Sequence, residues 1–189
     1  MESPVPWSVP WFPIWGFQHD PIESTAGFLS SFVTNRPNDR WGLMRDGAVA
    51  SDRHAWAAWS MLRRLEIRGD CLARSPDTEF LRIVAGTGQI SEGIKRAGLA
   101  VGSGPSWIYF LPLVRGESPL NNDEISTEIY NQNTSKALHL ISSLGGELLP
   151  RRPVPSQSGL AQINGTWIEG SHSTLEESFM SHLSNSIIN

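Results

Sequence analysis

The sequence predicts an α+β fold, a single domain in which a small mixed or antiparallel sheet is packed with several helices. Three observations carry this. Short apolar runs bounded by turn residues stand at 41–44 and 107–114. Amphipathic segments with capping signals recur along the chain, and three of them follow one another around residues 52–97. A chain of 189 residues buries one sizeable core, whereas two full domains would both be small.

Residues 1–15 carry Trp7, Trp11 and Trp15 separated by Pro10 and Pro13. The prolines exclude a regular helix, so this stretch is read as an extended Trp/Pro-rich arm ahead of the domain at 16–189. Its tryptophans suit either packing on the protein's own flank or stacking on a partner. A short strand is expected near 14–19. Asp20-Pro21-Ile22-Glu23 then gives an N-cap, an N1 proline and an acidic N3, followed by an apolar face of Phe28, Leu29 and Phe32. Residues 41–44 form a second strand, and Gly47 opens a turn.

A helix over 52–65 is capped by Ser51 or Asp52 and directs Ala55, Ala58, Trp59, Leu62 and Leu65 inward. Arg63 and Arg64 stand near its C-terminal end, with Arg68 and Arg74 following. They fit a helix terminus that favours cations, and equally a patch that meets phosphates.

The next helix starts at Ser75-Pro76, with Asp77 and Glu79 in its first turn and Phe80, Ile83 and Val84 on its apolar face. Arg82 lies off that stripe. Gly86 stops the helix, and Thr87 or Gly88 opens another whose apolar stripe is Ile90, Ile94 and Ala97, with Glu92, Lys95 and Arg96 outward. The elbow Gly86-Thr87-Gly88-Gln89 thereby presents an opening helix turn, whose unpaired N–H groups suit an anion such as phosphate. The same spacing also serves a plain tight turn between helices. It is no dinucleotide fingerprint, because a helix precedes it and the third glycine is displaced to Gly93.

Residues 107–114, WIYFLPLV, read as a buried strand with Pro112 marking an irregularity or edge. A polar insertion is expected near 115–135, then a helix over 135–144 and an extended loop over 150–158. A short strand at 166–168 and a capping box at Ser173-Thr174-Leu175-Glu176 complete the chain. Leu175, Phe179, Leu183 and Ile187 recur at every fourth position, a stripe suited to the protein's own core or to a docked partner.

Around the elbow the chain resembles a known family, the small tRNA-binding and kinase-binding subunit of the KEOPS complex, called the PRPK-binding protein in animals. The resemblance is carried by Thr78-Glu79-Phe80-Leu81, by Ala85-Gly86-Thr87-Gly88-Gln89-Ile90-Ser91-Glu92 and by Ile94-Lys95-Arg96-Ala97-Gly98. The alanine-rich helix at 52–65 and the order of elements from about 17 to 113 also fit. Archaeal members have an Arg immediately before the elbow's Gln, where this chain has Gly88. The resemblance implies a non-catalytic subunit that binds the KEOPS kinase subunit and holds the 3′ CCA end of tRNA, while a separate synthase subunit transfers the threonylcarbamoyl group. It implies RNA contacts at Gly86, Thr87, Gly88 and Gln89, with charge from Arg63, Arg64, Arg68, Lys95 and Arg96. The stripe Leu175, Phe179, Leu183 and Ile187 would then lie near the kinase.

Charge is consistent with a local RNA site only. The chain carries a net charge of −4 with a pI near 5.7, so bulk attraction to nucleic acid is excluded. Residues 51–99 hold eight Lys or Arg against six Asp or Glu and are the only net basic part. Cys71 is the single cysteine, which excludes an internal disulfide and a thiolate-rich metal site and suggests a reducing, cytoplasmic setting. No apolar run suits a membrane span. The five histidines are not at metal-ligand spacing, and no nucleophile elbow or P-loop occurs, so no catalytic residue, metal or cofactor is expected. Two other functions remain compatible with the residues: a protein-binding adaptor without RNA contact, and a small phosphate- or nucleotide-binding enzyme.

Overall fold

The computed structural model describes residues 9–113, 127–170 and 173–187. Four antiparallel strands, β1 (Ile14–Gln18), β2 (Trp41–Arg45), β3 (Ser106–Phe110) and β4 (Glu147–Leu149), form one sheet in the order β2-β3-β1-β4. The helices are α1 (Thr25–Asn35), α2 (Asp52–Arg68), α3 (Pro76–Val84), α4 (Ile90–Ala97), α5 (Thr127–Ser143), α6 (Gln157–Gln162) and α7 (Leu175–His182), followed by a 3₁₀ turn, Leu183–Ser186. The protein is a single α+β domain, as its sequence predicts.

Strand alternation builds two cores. Ile14, Met44, Trp107 and Tyr109 project to one face, where they meet α2, α3 and α7 through Trp59, Leu62, Phe80, Ile83 and Phe179. Trp15, Phe17, Trp41, Leu43 and Ile108 project to the other and meet α1 and α5 through Phe32, Ala137, Leu140 and Ile141. With both faces covered, the strands read as nearly continuous apolar runs. β1 is central, pairing Gly16 with Trp107 on one side and with Leu149 on the other.

Several boundaries differ from the sequence reading. Where the described residues reach the expected arm, its tryptophans pack on the protein's own flank: Phe12, Pro13, Ile14 and Trp15 are buried, and Trp15 stacks on Trp41 and Tyr130 at 5.8 and 5.0 Å. Trp11 is about half exposed, edge-on to Tyr130 and beneath the Arg152 guanidinium, while Trp7 lies outside the described residues. Arg152 also donates to Ile14 O and Phe12 O and pairs with Asp52, which fastens this stretch to α2.

Helix α1 starts at Thr25 rather than behind Asp20. Ile22 is held by backbone bonds with Ser103 and Gly102, and Ser24 Oγ takes the capping role by accepting from Gly27 N–H. The expected polar insertion falls partly outside the described residues, but from Thr127 onward it is already α5. Its first turns are polar because they are exposed, apart from Tyr130 and Thr134, which meet Trp15. β4 stands at 147–149, where no element is expected from the sequence, α6 takes the end of the expected loop, and residues 166–168 form no strand. The capping box sits one residue later, between Thr174 and Glu177.

Candidate nucleic-acid interface

Helix α3 packs against α2, α4 and β2, so both ends of the elbow are braced by the core. Its N-cap is Ser75 and its N1 residue Pro76, as the sequence indicates, although the Ser75 side chain bonds Thr78 Oγ1 instead of capping a backbone N–H. At its C-terminal end Gly86 adopts φ +57°, Gly86 N–H donates to Ile83 O and Thr87 N–H to Arg82 O. These bonds define a Schellman motif, which calls for a residue free to enter the left-handed region. A Cβ at Gly86 would also lie 2.4 Å from His182 Cδ2. Thr87 Oγ1 then accepts from Gln89 N–H at 3.2 Å, and α4 begins at Ile90, two or three residues after the expected start.

A buried ion pair fixes this turn. Arg82 and Glu79 are 1% and 0% exposed, although the helical pattern placed Arg82 off the apolar face and Glu79 in a first-turn surface role. Arg82 Nη2 donates to Glu79 Oε1 at 2.6 Å and Nε to Oε2 at 3.2 Å, and Oε2 also accepts from Ala73 N–H. Arg82 Nη1 donates to Thr87 O at 2.8 Å and to Ser186 O at 2.7 Å. The charge is buried because α4 crosses directly over it: a Cβ on Gly93 would stand 2.6 Å from Arg82 Cα. Every polar atom of the pair therefore has a partner, which is the condition for keeping a charge inside a protein.

His182 forms a second brace. Its Nε2 donates to Ala85 O at 3.1 Å and Ile163 O at 2.8 Å, and its Nδ1 accepts from Asn185 Nδ2. Nearby, His54 is fully buried and its Nδ1 accepts from Ala50 N–H. Burial first and the neighbouring His182 second bring the His54 pKa down to about 3.

At the elbow, Gly86 and Thr87 are buried, Gly88 is half-buried and Gln89 is exposed. The N–H groups of Gly86, Thr87 and Gln89 are already bonded internally, so they are not the open donors that the spacing suggested. Among the described residues, the N–H groups of Gly88, Ile90 and Ser91 have no protein acceptor. They lie beside the exposed Gln89 and Ser91 side chains at the positive end of α4. Farther along α4, the Lys95 side chain is 77% exposed and stands 3.8 Å from Glu92, whose other oxygen pairs with Arg96 at 3.0 Å. Ile94, expected inward, is exposed, and Gly93 takes the buried position.

Arg63, Arg64 and Arg68 stand in the last turns of α2, seven residues of connection ahead of α3. Arg63 is held by Glu66, which also pairs with Arg40 at 2.7 Å. Burial alone would raise the Glu66 carboxyl, but hydrogen bonds and charge from Arg40 and Arg63 hold it below its ordinary value. Arg64 and Arg68 are exposed and, among the described residues, form no ion pair.

The expected docking stripe is largely inside the protein. Phe179 and Leu183 are buried and Leu175 packs against the core, leaving Ile187 alone exposed, at 62%. The helix ends at His182, and the 3₁₀ turn redirects the last part of the stripe. Among the described residues no group of His, Cys, Asp or Glu is placed to hold a metal ion, and no helix is long and apolar enough to cross a membrane. The chain matches no known protein family and no curated protein at a significant level.

Proposed function

We propose that this protein is a non-catalytic subunit of a KEOPS-type tRNA-modifying complex, which binds the complex's kinase subunit and the 3′ CCA end of tRNA. The observation that carries the reading is the braced elbow: the open N–H groups of Gly88, Ile90 and Ser91 stand beside exposed Gln89 at the positive end of α4, over a fully bonded Glu79–Arg82 pair. A preorganised set of backbone donors suits terminal phosphates and base edges, and its rigidity limits the entropy lost on binding. Lys95 adds an exposed charge on the same helix, only loosely paired with Glu92 at 3.8 Å, and Arg64 and Arg68 supply a separate basic contact for more distant phosphates.

Two weak contacts on one rigid tRNA reinforce one another through effective concentration, so a net charge of −4 is compatible with RNA binding. The kinase subunit would meet the exposed end of the terminal segment, at Ile187, rather than the buried Leu175, Phe179 and Leu183. The threonylcarbamoyl transfer would belong to the separate synthase subunit, in a cytoplasmic assembly.

The test is a titration of the protein with full-length tRNA and with the same tRNA lacking CCA, at low and moderate salt. Binding lost with the tail supports the reading. Equal binding to both RNAs, or none, removes the 3′-end role and favours an adaptor that touches protein alone.

A further inference from the structure

The sequence presents the elbow and the C-terminal segment as two surfaces, yet one guanidinium nitrogen joins them. Arg82 Nη1 donates to Thr87 O inside the elbow and to Ser186 O at the end of the 3₁₀ turn, 104 residues from Arg82. His182 makes an independent tie, since its ring covers Gly86 and its Nε2 donates to Ala85 O. Neither tie has slack. Arg82 is 1% exposed, its remaining donors are committed to Glu79, and Gly93 closes over its backbone.

From this geometry we infer that the elbow and the C-terminal turn are one coupled unit, so that a partner engaging residues 183–187 changes the elbow's affinity for RNA. The functional half of this statement rests on the reading above, in which the partners are the kinase subunit and the tRNA end. The physical half concerns this chain alone. If Ser186 O leaves Arg82, the Nη1 donor loses a buried acceptor, and the guanidinium must shift or draw water inward. Either response moves Thr87 O, which shares the same nitrogen, and with it the start of α4. By linkage, RNA seated on the elbow alters the affinity for the partner at the turn by the same factor.

Ile187→Pro tests the physical half. A proline at 187 disfavours the helical conformation of Ser186 and so turns the Ser186 carbonyl away from Arg82. It also removes the Ile187 N–H bond to Ser184 O. Because the Ile187 side chain is 62% exposed, Ile187→Ala serves as a control that leaves the carbonyl in place. Amide hydrogen exchange in the free protein should rise at Thr87 and Gln89 by about tenfold or more in Ile187→Pro, with α5 unchanged and Ile187→Ala like the parent. Unchanged elbow exchange, in an Ile187→Pro variant whose C-terminal amides have shifted, overturns the coupling. If that variant does not fold, Arg82→Lys provides the second arm: it retains a cation for Glu79 but lacks the forked donors, and should raise exchange at Thr87 and at Ile187 together. A rise at one without the other counts against the coupling. Titration of the parent with tRNA ending in CCA separates the two claims. Absent RNA binding removes the function, while the exchange result still decides whether the surfaces are linked.

Discussion

Glu79 and Arg82 form a fork-to-fork ion pair, with Oε1–Nη2 at 2.6 Å and Oε2–Nε at 3.2 Å, one turn apart on α3 and enclosed by protein. Replacing Arg82 by Met keeps most of the side-chain volume and leaves the Glu79 carboxylate buried without its counter-ion. Breaking such a pair from one side costs about 3–5 kcal/mol. Urea unfolding should show that loss for Arg82→Met, and a smaller one for the double replacement Glu79→Leu/Arg82→Met, which removes both charges together.

Acid should weaken the fold through His54. Its pKa in the folded protein, about 3, lies below the ordinary 6.5, so between these values the unfolded chain binds more protons. The stabilisation is fully present above pH 6.5 and declines as pH falls towards 3, by an amount on the order of a few kcal/mol. Denaturant titrations at pH 7, 5.5 and 4.5 should show this slope, and His54→Leu should flatten it while lowering stability at pH 7 through loss of the acceptor for Ala50 N–H.

How much of this was legible follows from how local each signal is. Ser51 ahead of α2, Ser75-Pro76 ahead of α3 and the apolar period of α2 depend on neighbours in the chain, and all three stand where the sequence puts them. Three-residue β4 has no alternation to read and acquires its conformation from β1. Six-residue α6 contains Gly159, a poor helix former. The burial of Arg82 was hidden because a Glu and an Arg three apart normally mark a solvated helix face. The available clue was Gly93, whose missing side chain lets α4 lie against Arg82. The elbow was placed correctly as a turn between helices, but most of its N–H groups proved to be spent on the Schellman bonds and on Thr87.

Gly86→Ala meets two obstacles at once: a positive φ, and a Cβ position 2.4 Å from the His182 ring and 2.5 Å from its carbonyl. The conformational term alone is about 1–2 kcal/mol, and the clash adds to it. Thermal unfolding should give a loss above 2 kcal/mol, with the near-ultraviolet circular dichroism of the folded fraction altered around α7.

Gly88 differs from Gly86 in having no positive φ, so a side chain there fits the backbone. Under the proposed function, Gly88→Arg adds a cation beside the open N–H groups of Ile90 and Ser91, and should tighten binding of CCA-ended tRNA. Lys95→Glu should loosen it, more at low salt than at moderate salt, with a stability loss below about 1 kcal/mol because Lys95 is mostly exposed and its pair with Glu92 is long. Filter binding at two salt concentrations measures both.

Along the terminal stripe, burial separates structure from association. Leu183→Glu places a charge at a position 3% exposed and should unfold much of the population. Ile187→Glu, at 62% exposure, should leave the melting temperature unchanged and, under the proposed function, weaken association with a KEOPS-type kinase subunit. Retained association with a folded Ile187→Glu protein would remove that residue from the contact.

The place of β1 in the middle of the sheet has a consequence for synthesis. The ribosome delivers Ile14–Gln18 first, but its neighbours are Ser106–Phe110 and Glu147–Leu149. At about 5–20 residues per second, a strand bearing Trp15 and Phe17 waits on the order of ten seconds before both edges are covered. Over that interval the emerging polypeptide offers an aromatic strand to any chaperone or sister chain within reach, so its yield in the cell should depend on translation speed more than its final stability would suggest.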